Sequence, residues 1–371
     1  MEFTIDRSDL MQSLGLAQGV VERRNTMPIL ANVLLEAEGD QLSISATDLE
    51  VHLKRTCSAK VKKTGSATVG ARKLFELIRE LGAGEVTIRS LDNDFVEVTS
   101  NRSKVKLVGL APADFPTFPT GSSKGGTNIE LAVESLQKAI DRTLFAVSTD
   151  DTRSHLGGVL LTAADGGFRF VGTDGHRLAL ADVDIGKSDK GSVEKGIILP
   201  RKGLAELRKL LDEAEGNANI RLLGNAIRVE QSNVDLVMRL VDGEFPNYEQ
   251  VVPESTKISV AVDKGEFFAA LKRVSVVASD RARGVRLHLE KGLLRVAASS
   301  PDFGEASEEL AVDYKGAKVE VGFNARYLTD VLGVLPEDQR VTLGLSDETS
   351  AGVISTEEDD SYRYVVMPMR L

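Results

Sequence analysis

The sequence predicts an α+β protein made of three tandem copies of one unit, each with two helices packed on antiparallel sheet. Three observations carry this. An alternating strand ending in an acid recurs along the chain, a one-sided apolar helix follows each acid, and a second such helix comes later with basic residues at its head. At 371 residues the chain also exceeds the usual size of one compact domain.

The strands are Phe3 and Ile5 before Asp6, then Ile129, Leu131 and Val133 before Glu134, then Ile258, Val260 and Val262 before Asp263. The first helices are predicted from Leu10, Leu14, Ala17 and Val21, from Leu136, Ile140, Leu144 and Val147, and from Phe267, Leu271, Val274 and Ala278. Each set turns one apolar face toward a core. The second helices are predicted from Leu74, Leu77, Ile78 and Leu81, from Leu204, Leu207, Leu210 and Leu211, and from Leu328, Val331, Leu332 and Leu335. Arg72-Lys73, Arg201-Lys202 and Arg326 stand just ahead of them. Short alternating segments at 33–35, 42–44, 159–161, 168–171, 285–289 and 293–296 predict antiparallel strands and hairpins. The pattern breaks at 119–127, rich in Gly, Ser and Lys, and around 253–256, which sets domains at 1–122, 127–253 and 256–371.

Lys plus Arg number 46 against 56 Asp plus Glu, a formal charge of -10, which argues against a molecule that binds polyanions over its whole surface. A local basic face is still allowed. The start, Met1-Glu2-Phe3-Thr4-Ile5-Asp6, has no basic segment followed by an apolar stretch, and no apolar run approaches the length of a bilayer span. A cytoplasmic chain without a membrane partner is expected. Cys57 has no partner in the chain, which excludes an intrachain disulfide, fits a reducing compartment and predicts a buried small side chain. No cofactor is expected, and His52, His155, His176 and His288 are too scattered to suggest a zinc site.

Basic residues recur beside the apolar stripes: Arg7, Lys138, Arg142, Lys272 and Arg273 on first helices, and Arg72, Lys73, Arg79, Arg201, Lys202, Arg208, Lys209 and Arg326 on second helices. Glu76, Glu80, Glu206 and Asp212 share those helices, so the pattern alone fits a solvated face as well as a DNA-facing one.

Longer words are more specific. They are Arg24-Asn25-Thr26-Met27-Pro28-Ile29-Leu30, Ala46-Thr47-Asp48-Leu49-Glu50, Gly172-Thr173-Asp174-Gly175-His176-Arg177-Leu178, Val241-Asp242-Gly243-Glu244-Phe245-Pro246, Arg283-Gly284-Val285-Arg286-Leu287 and the ending Tyr364-Val365-Val366-Met367-Pro368-Met369-Arg370-Leu371. In this order and spacing they resemble the bacterial DNA polymerase III beta subunit family, the replicative sliding clamps. The resemblance covers all three repeats. It implies three tandem DNA-clamp domains forming half of a six-domain ring, closed by a head-to-tail homodimer around duplex DNA.

Geometry tests that ring independently. Twelve lumen helices spaced about 9 Å apart give a radius of about 17 Å to their axes. Subtracting about 5.5 Å for the helix body leaves a passage about 23 Å wide. Six helices would leave about 6 Å and eighteen about 40 Å, so two chains suit a duplex and one or three do not.

The resemblance implies DNA contact through Arg24, Arg153, Ser154 and His155, and through the helix cations Arg72, Lys73, Arg79, Lys138, Arg142, Arg201 and Lys202. Ser154 and His155 stand where the best-known pattern has two tyrosines. Phosphate contact of this kind reads no sequence, as sliding requires. The resemblance also implies a groove for short peptides from the polymerase III alpha subunit, the clamp loader, other polymerases and repair factors. Its matching positions are Leu156, Thr173, Gly175, His176, Arg177, Leu178, Pro246, Val251, Tyr327, Val365, Val366, Met367, Pro368, Met369 and Arg370. Met367 and Met369 suit varied apolar anchors, and Arg177 and Arg370 suit acidic or polar peptide groups. Gln250 replaces an arginine at the edge. A C-terminal strand packed in the core is the plainer reading of the ending. The implied dimer contact sets Lys73, Leu77, Arg102 and Lys104 against Val276, Val277, Asp302, Glu305 and Glu308 of a second copy.

Two other classes compete. An enzyme would use Asp174 and His176 as an acid–base pair beside Ser154 or Asp151, but no phosphate loop, metal-spaced carboxylates or nucleophile elbow accompanies them. A peptide-binding scaffold unrelated to DNA would show no preference for circular over linear DNA.

Overall fold

Six α-helices follow the predicted stripes in the computed structural model, which describes residues 1–22, 27–118, 128–185, 193, 196–279, 283–357 and 359–370. They are α1 (Arg7–Val20), α2 (Ala71–Glu80), α3 (Val133–Thr143), α4 (Arg201–Leu211), α5 (Lys264–Val274) and α6 (Ala325–Gly333). Two of the recurring acids cap their helices, Asp6 accepting from Ser8 N at 2.7 Å and Asp263 from Glu266 N at 2.8 Å. Glu134 does not end a strand: strand Asn128–Ala132 gives way to α3 at Val133, so Glu134 lies inside the first turn. The basic residues expected ahead of the second helices are also inside their first turns. The stripes run past their helices, by one residue at Val21, where the chain exits extended, and by about a turn at Val147 and Ala278, where a 3-10 turn follows α3 and α5.

The chain forms two compact units that interleave in sequence, Met1–Glu134 with Lys202–Leu240, and Ser135–Arg201 with Val241–Leu371. In the first, α1 packs beside α2, and both lie mainly on strands of the eight-stranded sheet; a five-stranded sheet runs Lys60–Lys63, Glu2–Asp6, Glu85–Ser90, Phe95–Ser100, Ser103–Val108. Its eight-stranded sheet runs Asn128–Ala132, Asn217–Leu222, Ala226–Gln231, Val234–Arg239, Val51–Ser58, Gln41–Thr47, Asn32–Glu38, Gly65–Gly70. Cys57 is half-buried there, not fully inside as expected, and burial pushes its thiol pKa up.

In the second unit α5 packs beside α6. Its eight strands run Ile197–Pro200, Gly158–Ala164, Gly167–Thr173, Arg177–Asp184, Tyr362–Val366, Gly352–Thr356, Arg340–Leu345, Ile258–Asp263. A four-stranded sheet runs Gly304–Ala311, Leu293–Ser300, Gly284–Glu290, Val319–Asn324. Every ladder is antiparallel, and inward positions alternate as predicted, with Val285, Leu287 and Leu289 at 1% exposure or less. The linker expected at 119–127 lies outside the described residues.

Gly172 shows how closely these layers meet. A Cβ there would lie 2.2 Å from the Thr143 carbonyl oxygen at the end of α3. Gly172→Ala is therefore expected to cost about 1–3 kcal/mol through forced backbone shifts. A urea midpoint unchanged from wild type would contradict this.

Candidate functional site: an apolar cleft and basic surfaces

The cleft is built on the turn between two strands of the second unit. Thr173 Oγ1 accepts from Gly175 N at 3.1 Å, and Asp174 Oδ1 accepts from His176 N at 2.9 Å and Arg177 N at 3.1 Å. Gly175 takes φ 88°, a left-handed conformation that a side chain would disfavour. Strand Arg177–Asp184 then pairs with strand Tyr362–Val366, Leu178 opposite Val365. Beside that pair opens a cavity of about 160 Å³ lined by Leu156, Thr173, Gly175, His176, Arg177, Leu178, Pro246, Asn247, Tyr248, Val251, Val365 and Met367. An apolar cavity of about 150 Å³ takes a benzene ring, so this one has room for a single large apolar side chain. Val251 and Met367 are about half exposed at its mouth.

The structure thus brings together ten of the fifteen expected positions and adds Asn247 and Tyr248. An aromatic two residues after Pro246 was the signal for Tyr248. The C-terminal strand is also a core strand, because its faces differ: Tyr362, Tyr364 and Val366 are fully buried in the main core, and Val365 belongs to the small cluster beneath the cleft. Val366 therefore cannot line the groove. Pro368, Met369 and Arg370 run past it, Met369 N donating to Gly322 O at 2.9 Å.

Arg177 lines the cleft and also acts as a strut. Its guanidinium is buried, donating to Asp330 Oδ2 at 2.6 Å, Asp174 Oδ2 at 3.1 Å and Phe145 O at 2.7 Å. Its charge lies 4.6 Å from the Tyr327 ring centre and 5.4 Å from that of Phe145. Tyr327 stands behind Arg177 instead of lining the cleft, and burial raises its phenol pKa. Asp174, the acid of the enzymatic alternative, has both oxygens committed to this turn and strut.

Among the expected DNA contacts, Arg24 lies outside the described residues. Arg72, Lys73 and Arg79 are exposed on α2, where Lys73 and Arg72 share Glu76 and bring its pKa down to about 2. Arg201 is exposed, and Lys202 is tied to Asp48 and to Glu22 at 3.4 Å. The first turns of α2, α4 and α6 hold cations and no acid, while Glu76, Asp48, Glu22 and Asp330 lie against Arg72, Lys73, Lys202 and Arg326 from outside those turns. Ser154 is exposed, His155 is half-buried, and Arg153 is braced on Asp150 at 3.2 Å and on Asp174 O at 3.0 Å. Arg142 is a correction: its side chain is only 4% exposed and lies 2.7 Å from Asp359 Oδ2, which also accepts from the exposed Lys138 at 2.8 Å. Burial works against the Asp359 charge, but bonds from Lys138, Ser361 and Arg142 hold its carboxyl well below the usual range.

The residues expected at a dimer contact lie on or near two edge strands. Ser103–Val108 is paired on one side only and carries exposed Lys104 and Lys106, with Arg102 exposed just before it. Gly304–Ala311 is likewise an edge, with Glu305 exposed and Glu308 half-buried on Arg273, and Asp302 exposed nearby. Lys73 is exposed and Leu77 half-buried on α2, while Val276 is 78% exposed and Val277 packs partly on the core.

Family models match almost the whole chain in sequence: the N-terminal domain of the DNA polymerase III beta subunit over residues 1–119, its central domain over 130–247 and its C-terminal domain over 249–370. The chain belongs to this family. Beta sliding clamps are similar over their full length and all of this chain, that of Pseudomonas aeruginosa at 41% identity and that of Escherichia coli at 34%. Among solved structures, the Bartonella birtlesii sliding clamp bound to griselimycin superposes with a TM-score of 0.94 at 36% identity. The Pseudomonas aeruginosa sliding clamp bound to griselimycin does so at 0.92 and 40%, both with full coverage of each chain. Like its family, the chain is a sliding clamp, a processivity factor for DNA polymerase and not a catalyst. No helix among its described residues is long and apolar enough to cross a membrane.

Proposed function

We propose that two copies of this clamp close head to tail around duplex DNA, hold it without sequence preference, and tether partners through short peptides seated in the second unit's cleft. The domains are 1–122, 127–253 and 256–371, and the partners are the polymerase III alpha subunit, the clamp loader, other polymerases and repair factors. The observation that carries the reading is the cleft itself, an apolar hole of about 160 Å³ with exposed Met367 and Val251 at its lip in a family that has no reaction to perform. Griselimycin, the ligand of two related clamps, is expected to occupy it.

Closure is supported by the two unpaired edges. An exposed edge strand is a template for another chain, and here one edge is basic and the other acidic. Unlike edges favour a heterologous contact between different faces of the two copies. DNA contact is supported by the exposed cations Arg72, Lys73 and Arg201 in the first turns of α2 and α4, with Arg79, Lys138, Arg153, Ser154 and His155 as further contacts. The reading implies work in the cytoplasm, where the bacterial chromosome lies.

Topology gives the decisive test. Protein loaded on nicked circular DNA is expected to stay bound through a wash and to be lost once the circle is linearised. Equal retention on both forms would refute encirclement and favour a scaffold that merely adheres.

A further inference from the structure

Each eight-stranded sheet is two four-stranded halves joined edge to edge. In the first unit the half ending at Val234–Arg239 meets the half that begins at Val51–Ser58, and in the second the half ending at Tyr362–Val366 meets the half that begins at Arg177–Asp184. Among the described residues one half of each kind is left over, and these end at the two open edges, Ser103–Val108 and Gly304–Ala311. The chain thus makes one kind of joint twice and holds the parts of a third.

The two made joints fix how the third must align. Counted from the turns that open them, Glu38 opposite Gln41, Ala164 opposite Gly167 and Glu290 opposite Leu293, three hairpins place Thr47, Thr173 and Ser299 at one position, facing His52, Leu178 and Glu305. On the other side of the joint, counting from Gln231 opposite Val234 and from Ser100 opposite Ser103 makes Lys106 the counterpart of Val237. His52 pairs with Val237 and Leu178 with Val365, so Glu305 belongs opposite Lys106. The same count sets Val108 opposite Phe303, where the internal joints have Arg239 N donating to Glu50 O at 2.8 Å and Met367 N to His176 O at 2.9 Å. Val108 N points to the open side for this bond, because Gly109 N turns back to Asp94 O at 3.0 Å, just as Leu240 N after Arg239 turns back to Asn225 O at 2.9 Å.

We propose that a second copy completes this third joint in that register, the partner's Phe303 seating on Val108 and Phe95 as an apolar latch. The occupant is a second copy because one chain closing on itself would leave a passage of only about 6 Å. Both sides of the open joint carry apolar surface: Val108 is 70% exposed, Phe95 opposite it in the ladder 38%, and Phe303 57%. In the same register the exposed Lys106 meets the exposed Glu305, and the half-buried Val105 meets the half-buried Ala306. A slip that keeps the faces would instead set Val108 on Glu305 and Val105 on Glu308, or Lys106 on Phe303. The proposal rests on the reading that two copies close head to tail.

The tests use the full chain. In analytical ultracentrifugation Phe303→Ala is expected to raise the dimer dissociation constant about tenfold or more, with circular dichroism unchanged, and Phe303→Leu is expected to keep most of the affinity. Register is read by disulfide trapping in a Cys57→Ser background. Val105→Cys with Ala306→Cys is expected to lock two copies into a covalent ring on mild oxidation, and Val105→Cys with Glu308→Cys, the slipped pairing, to crosslink clearly less. If the first pair does not fold, Lys106→Cys with Glu305→Cys puts the same question at exposed positions. Unchanged dimer affinity in Phe303→Ala would overturn the latch. Equal or better trapping of the slipped pair, or no trapping by either pair in a chain that still dimerises, would overturn the register. A wild type that stays monomeric would instead remove the head-to-tail reading beneath it.

Discussion

Deleting residues 367–371 is expected to lower affinity for griselimycin, or for a short apolar peptide, by two to three powers of ten, the loss typical of removing a central anchor wall. Met367 contributes a half-exposed lip of the cleft, and its N–H fixes the chain to His176 O at 2.9 Å. The strand Tyr362–Val366 keeps both of its ladders, to Arg177–Asp184 and to Gly352–Thr356, so the unit should still fold. Sedimentation should show the same oligomeric state as wild type. Titration of the truncated chain with a fluorescent ligand decides the matter, and wild-type affinity would refute the placement of the site.

Asp359→Ala is expected to destabilise the second unit by about 3–5 kcal/mol, because it leaves the buried Arg142 without its counter-ion. Besides that ion pair, the Arg142 guanidinium lies 4.8 Å from the Tyr362 ring centre, and Tyr362 OH donates to Arg142 O at 3.2 Å, so the cation cannot swing out to water without disturbing the core. The pH dependence has a definite sign. Folding holds the Asp359 pKa below its unfolded value of about 3.9, so the stabilisation is complete above that value and is lost as pH falls through the lower folded pKa. The gap between wild type and variant should be widest near neutrality and narrow in acid. Urea unfolding at pH 7 and pH 3 measures it, and a gap below about 1 kcal/mol at pH 7 would contradict a buried pair of this kind. Arg142→Met with Asp359→Leu should lose less than Asp359→Ala alone, since no charge is then stranded.

Much of the fold is legible in the sequence because its signals are local. Alternation along Val285, Leu287 and Leu289 requires only neighbours two apart, and Asp6 and Asp263 cap helices two or three residues on. The lining of the cleft was legible as a set of words, with Leu156, Thr173, Leu178, Val365 and Met367 meeting as the family resemblance implied. What escaped was the use of each cation. Arg177 and Arg142 read as free cations in the sequence, yet their partners Asp330 and Asp359 come from a helix and a turn far along the chain, and nothing local announces them. The face of Val366 escaped for the same reason, since alternation gives two faces without saying which is toward the core.

The interleaving of the two units also shapes how the molecule is made. Strand Val51–Ser58 finds its neighbour Val234–Arg239 only after the segment 135–201, which belongs to the other unit, has already emerged. That segment in turn waits for Tyr362–Val366 before Arg177–Asp184 has a partner on its second side. A ribosome therefore exports more than half of the chain before the first unit can close, and nearly all of it before the second can. Pairings so distant in sequence are slow to form and leave open strand edges meanwhile. Nascent chains stalled within residues 241–360 should present one finished unit and one sticky half, which makes the final residues as much a folding signal as a functional one.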